Sequence, residues 1–228
     1  MKAVELGFKQ GVLRLRTPPG LVPVLLAAGA LCAAVAGAGP ERGSAAADRA
    51  LEAAAFGVTF PLLAFLAAEV SASNARLDRA ARGLTRHGLS ARLAGAGLAL
   101  ALGAALVAAA LLVTACSLFG AYAMTDSRLW NDLARTIPIA TLAGSAYAAW
   151  YWLASSFGAK GGGRKWFLIS DWVFGTTSGW LSLPFPRGHV RNLLGGAPVL
   201  ELGQSASFGV LLLGTALAVG VGLTRSAD

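Results

Sequence analysis

Leu93-Ala-Gly-Ala-Gly-Leu-Ala-Leu-Ala-Leu-Gly-Ala-Ala-Leu-Val-Ala-Ala-Ala-Leu-Leu-Val-Thr-Ala-Cys-Ser-Leu118 is a run of 26 residues with no charged side chain. A helix needs about 20 mostly apolar residues to cross about 30 Å of hydrocarbon. Lipid supplies no water to backbone polar groups, so such a run is expected to be a helix. Four more runs of the same kind flank it, at residues 21–39, 53–69, 137–157 and 205–223. A sixth, 166–183, is weaker: it holds Asp171, two Thr and two Gly and stops at Pro184. The fold class expected is all-α, a polytopic membrane protein of six spans in a single domain covering 1–228. The alternative is five spans, with 166–183 lying in the interface.

Composition agrees. Of 228 residues, 56% are hydrophobic and 13% charged, against roughly 25% charged in an average soluble domain. That excludes a disordered chain and leaves too little polar surface for a compact soluble domain. Two cysteines, Cys32 and Cys116, both in apolar runs, exclude a disulfide scaffold and a Cys-based zinc site. Residues 21–39 follow a basic start and contain Ala36-Gly37-Ala38, the outline of a signal peptide, but 19 apolar residues exceed the usual ~7–15. The segment is read as the first span.

Charge placement sets the orientation. Thirteen Lys and Arg fall on one predicted side: Lys2, Lys9, Arg14 and Arg16, then Arg76, Arg79, Arg82, Arg86 and Arg92, then Lys160, Arg164 and Lys165, and Arg225. Six fall on the other, offset by six acids that include Glu52, Asp126 and Asp132. Positive loops stay in the cytoplasm, so both termini are expected there. The same asymmetry accounts for the net charge of +8 without a nucleic-acid partner.

The spans are rich in small residues. Gly29, Ala33 and Gly37 recur at four-residue spacing, as do Ala218 and Gly222, and Ala216 and Gly220. Such rows let helix backbones approach closely in lipid, either within the bundle or at a dimer seam. The N-terminal segment alternates Val4, Leu6, Phe8, Val12, Leu13 and Leu15 with Lys9, Arg14 and Arg16, which predicts an interfacial amphipathic helix ended by Pro18-Pro19-Gly20. In the loop 71–92, Leu77, Ala81, Leu84 and Gly88 recur at helical spacing among the arginines. This predicts a short basic helix along the inner membrane face, with Ser73 or Asn74 as its cap. It would hold anionic headgroups or dock a cytoplasmic partner. The segment 184–201 is too apolar for a free loop and too broken for a span, and predicts a pair of short helices dipping into the outer leaflet.

Enzymatic motifs are missing. His87 and His189 fall on opposite predicted sides and cannot share a metal. Asp126 and Asp132 have nothing to orient them as an acid–base pair. Gly158-Ala-Lys-Gly-Gly-Gly-Arg-Lys-Trp166 imitates a phosphate loop, but Arg164 stands where Lys is needed and Lys165 where Ser or Thr would bind Mg²⁺. No cofactor is expected in this chain. Asp171, with His189 and Arg191 on the same predicted side, is the only support for a membrane-enzyme reading.

This layout resembles the membrane permease subunit of type-2 ATP-binding-cassette transporters, mostly exporters. Residues 1–20 resemble that family's connecting helix. Phe60-Pro-Leu-Leu-Ala-Phe-Leu-Ala-Ala-Glu69, followed by the basic loop with Leu84-Thr-Arg-His-Gly-Leu-Ser-Ala-Arg92, is similar to its coupling-helix region. Pro186-Arg-Gly-His-Val-Arg-Asn-Leu-Leu-Gly195 resembles its re-entrant outer helices. Glu69 lacks the Gly-Thr step that commonly follows it in the family. The resemblance implies a second permease subunit, identical or related, and a cytosolic ATPase dimer carrying ATP and Mg²⁺. It implies contact with that ATPase through Arg79, Arg82, Arg86 and His87, a pivot or ion-pair role for Glu69, and an outer gate of Asp171, Pro186, His189 and Arg191. It also implies residence in the bacterial cytoplasmic membrane, among lipid. The substrate stays open. A non-transporting scaffold subunit of a larger membrane complex is the alternative.

Overall fold

A computed structural model describes residues 2–16, 21–39, 42–73, 75–80, 82–85, 88–158 and 160–225. Helices joined by turns make up these residues, with no strand among them. In chain order the helices are α1 (Lys2–Arg16), α2 (Leu21–Ala38), α3 (Ser44–Arg49), a π-helix (Ala50–Thr59), α4 (Phe60–Ala72), α5 (Leu77–Ala80) and α6 (Arg82–Thr85), with residue 81 between them not described, α7 (Ala91–Ala121), α8 (Ser127–Ser155), α9 (Gly163–Phe174), a 3₁₀ turn (Trp180–Ser182), α10 (Pro186–Leu193) and α11 (Gln204–Arg225).

Three helices are long and apolar enough to cross a membrane: Ser44–Ala72, Ala91–Ala121 and Gln204–Arg225. They fit a membrane-embedded protein, and the large apolar side chains they leave exposed, such as Leu66, Leu100, Leu213 and Leu217, suit lipid. The other predicted spans take different forms. Residues 21–39 give the apolar helix α2, of 18 residues against 29, 31 and 22 in those three. Residues 137–155 of the fourth predicted span lie inside the 29-residue α8, whose Tyr, Trp, Ser and Thr residues lower its hydropathy.

The weak sixth run is α-helical only up to Phe174, where α9 ends, with one 3₁₀ turn at Trp180–Ser182. Asp171 O accepts the N–H of Gly175 at 3.0 Å, and the glycine- and threonine-rich turn that follows ends the helix. The second predicted span starts earlier than the sequence suggested, at Ser44, and its middle is the ten-residue π-helix, a form usually confined to single turns. The pair of helices expected over 184–201 is one eight-residue helix, α10, followed by turns with Leu200 and Glu201 left-handed.

α7 is the backbone of the bundle. Its 31 residues rise about 46 Å, well beyond one hydrocarbon thickness, and Ser90 caps it by accepting from Leu93 N–H. α8 returns along it, with Gly144 against Val107 and Phe119 beside Trp130. α1 covers its first turns and α2 its last.

The predicted α1 is observed, and its buried stripe is Ala3, Gly7, Gly11 and Leu15. A Cβ on Gly7 would lie 2.1 Å from Ala94 O, and one on Gly97 would lie 2.2 Å from Val4 O. The two backbones touch because neither position carries a side chain. The row Gly29, Ala33 and Gly37 likewise packs inside the chain, on Cys116 and Gly120 of α7, and Gly222 packs on Trp152. Ala216 and Gly220 face outward. Pro18-Pro19-Gly20 lies outside the described residues.

Candidate functional site

The ends of α4, α8 and α9 meet at one pole of the bundle, and Arg164 lies between them. Its side chain is 1% exposed. Nε donates to Glu69 Oε1 at 2.9 Å and Nη2 to Glu69 Oε2 at 3.2 Å, the paired geometry a guanidinium and a carboxylate share. Nη1 donates to Ala75 O at 2.9 Å and Nη2 also reaches Lys160 O at 3.5 Å. The glycine-rich turn that imitated a phosphate loop has a packing role. Gly161 has φ +71°, and a Cβ there would fall 2.3 Å from Arg164 Nη1; one on Gly163 would fall 2.2 Å from Ala154 O. Only glycine lets the turn fold over the guanidinium.

A second arginine closes the same pole. Arg14, near the end of α1, donates to Ser71 O at 2.8 Å and to Ala80 O at 2.9 Å, satisfying carbonyls at the ends of α4 and α5 that helix geometry leaves unpaired. Leu77 is buried and its N–H reaches Ser155 Oγ at 3.5 Å, while Ala80 and Leu84 pack on Ala94 and Leu98.

Of the basic helix expected over 71–92, the described residues Leu77–Ala80 and Arg82–Thr85 are helical, and residue 81 between them lies outside the described residues. Ser73, read as a possible start signal, is the left-handed C-cap of α4 at φ 49°, and Asn74 lies outside the described residues. Gly88 at φ +72° sets the exit. Arg79 and Arg82 are exposed on this cap, and Arg76 donates to Arg225 O at 3.3 Å. Arg86 and His87 lie outside the described residues.

The residues expected as an outer gate separate into two groups. Asp171 is fully buried on α9. Tyr147 donates to its Oδ2 at 2.6 Å, and the backbone N–H of Arg187 donates to its Oδ1 at 3.2 Å. Pro186 begins α10. Arg191 Nε lies 3.3 Å from Glu52 Oε1 without hydrogen-bond alignment.

His189 turns the other way, toward α11. Its Nε2 lies 2.9 Å from Leu183 O, which fixes the proton there, so Nδ1 accepts from Ser207 Oγ at 3.3 Å. Asn192 Nδ2 donates to Ser207 Oγ at 2.7 Å and to Leu202 O at 2.8 Å. Asp171 and His189 thus engage different partners. Burial pushes the His189 imidazole below its ordinary value. The unfolded chain then takes up a proton below about pH 6.5 while the native state resists, and stability falls as pH drops through that value. We expect the melting temperature in detergent to fall between pH 7 and 5, with a shallower fall in His189→Asn. Equal slopes would contradict this account.

Sequence reasoning named Glu69 as an ion-pair candidate but missed Arg164, Arg14 and Tyr147 as partners. The only signal for Arg164 was a cation inside a glycine-rich turn, which read as a topology charge. No protein-family model matches the chain, and no curated protein matches its sequence.

Proposed function

We propose that the chain is the transmembrane permease subunit of an ATP-binding-cassette transporter. It exports a substrate across the bacterial cytoplasmic membrane, driven by a separate cytosolic ATPase dimer. In this reading the chain passes the membrane six times with both termini inside, pairs with an identical or related permease, and carries no nucleotide itself. The observation that supports it is the basic cap of residues 75–85, fixed by Arg14 and Arg164 to α1, α4 and α9 while Arg79 and Arg82 face out. A partner that pushes on this cap moves three helices at once. Nucleotide-driven closure of the ATPase needs such a lever, with different free energies in two positions.

Purification in mild detergent from the native host is expected to recover an ATPase in stoichiometric amount. The double reversal Arg79→Glu, Arg82→Glu places like charges against the partner, a juxtaposition that costs several kcal/mol, so recovery should fall by at least about tenfold. Stable partners without any ATPase would instead favour the scaffold reading, and unchanged ATPase recovery by the double variant would displace the cap as the contact.

A further inference from the structure

Between the π-helix and α10 lies a cavity of about 200 Å³, lined by Glu52, Ala53, Gly57, Thr176, Arg187 and Arg191 among others. Its polar lining is unusually short of partners. Arg187 Nη1 donates to Trp172 O at 3.4 Å, and its guanidinium lies 5.7 Å over the Trp172 ring. Arg191 Nη1 donates to Thr176 O at 3.5 Å, while its Nε is buried and pairs with Glu52 Oε1 at 3.3 Å without hydrogen-bond alignment. Each guanidinium carries five N–H groups, of which the bonds to Trp172 O and Thr176 O take one apiece. A buried donor without an acceptor is costly enough to require explanation. Gly57 is needed by the π-helix itself, since a Cβ there would fall 2.6 Å from Glu52 O; it would stand 4.0 Å from Arg187 Nη2. Gly196 lets Glu52 come close to Arg191, because a Cβ on it would fall 2.7 Å from Glu52 Oε1.

The charges select the ligand. Paired guanidiniums suit a phosphate, but a bare phosphate would compete with Glu52 for Arg191. A group carrying both a phosphate and an ammonium satisfies all three side chains. Asp171 does not contribute, since its oxygens are taken by Tyr147 and the Arg187 backbone. Beside the cavity, Trp172 and Val173 present an exposed apolar surface suited to acyl chains. The geometry points to a phosphoethanolamine site, with phosphate on Arg187 and Arg191 and ammonium on Glu52, supplied by a phosphatidylethanolamine headgroup or by the free compound. The inference is independent of the proposed ATPase.

The test is thermal unfolding and native mass spectrometry of the detergent-purified chain. The probes are dioleoyl phosphatidylethanolamine, the corresponding phosphatidylcholine and phosphatidylglycerol, and free O-phosphoethanolamine. Phosphatidylethanolamine is expected to raise the melting temperature saturably, at about tenfold lower concentration than the other two lipids, because ligand bound to the native state stabilises it. Glu52→Gln should bring phosphatidylethanolamine and phosphatidylglycerol to parity, and Arg187→Gln or Arg191→Gln should lose the response to both.

Ala53 is exposed at the rim, so Ala53→Phe fills the cavity while leaving every charge in place. It should elute normally in gel filtration yet lose the response. Saturation by O-phosphoethanolamine would assign the free compound, and a response to lipid alone would assign the headgroup in its bilayer. Equal stabilisation by all three lipids, or a full response in Ala53→Phe, would overturn the assignment.

Discussion

Replacing Glu69 with Ala destabilises the fold by about 3–5 kcal/mol, the cost of leaving one partner of a buried ion pair behind. Arg164 is the deeper member, at 1% exposure against 22% for Glu69, so the loss is asymmetric. In Glu69→Ala the guanidinium keeps Ala75 O and Lys160 O but no counter-charge. In Arg164→Met the orphan is Glu69, which turns toward solvent, and the loss is smaller. Arg164→Lys retains the charge but not the fork that engages both carboxylate oxygens, and falls between them. The double variant recovers part of the Glu69→Ala loss, a coupling that contacting residues show and distant ones do not. Thermal unfolding in detergent reads all four. A Glu69→Ala protein that melts with the parent, or two single losses that simply add, would show that the pair does not hold this pole together.

Any side chain at Gly7 or Gly97, even that of Ala, lifts α1 off α7. The Cβ positions fall 2.1 Å from Ala94 O and 2.2 Å from Val4 O, and both obstacles are backbone, which cannot rotate away. Overpacking of this kind costs typically 1–3 kcal/mol, and the movement also takes Arg14 from Ser71 O and Ala80 O. Gly97→Leu is therefore expected to expose α1 to trypsin at Lys9 and Arg14 and to lower the melting temperature. Gly220 provides the opposite case. It lies within α11 with nothing within 4 Å of a Cβ, so Gly220→Ala should gain up to about 1 kcal/mol of helix propensity. Unchanged protease resistance in Gly97→Leu would mean that the seam yields at little cost.

The helices were legible wherever the local pattern decides them. The charge-free run at 93–118 and the amphipathic spacing of residues 2–16 each became one helix, because hydropathy and periodicity are properties of contiguous sequence. What could not be read depends on groups far apart in the chain. The helical spacing that begins at Leu77 pointed to a basic helix, and residues 77–80 and 82–85 are helical, but nothing local showed that the carbonyls of Ala75 and Ala80 are taken by Arg164 and Arg14. The π-helix at Ala50–Thr59 leaves no mark in composition. Asp171 was recognised as an unusual acid, but its donor Tyr147 sits 24 positions away among aromatics that read equally well as interface anchors. Glu69 was visible as a charge at the end of an apolar run; nothing local identified the arginine that meets it.

That last separation has a consequence for biosynthesis. Glu69 and Arg164 are 95 positions apart, and a ribosome adds roughly 5–20 residues per second. For about 5–20 s the nascent chain carries its first helices and an unmatched carboxylate before its counter-ion is made. Through that interval the half-made product depends on water, lipid headgroups or the insertion machinery to shelter the acid, which makes the stretch between these two codons the vulnerable window of its assembly.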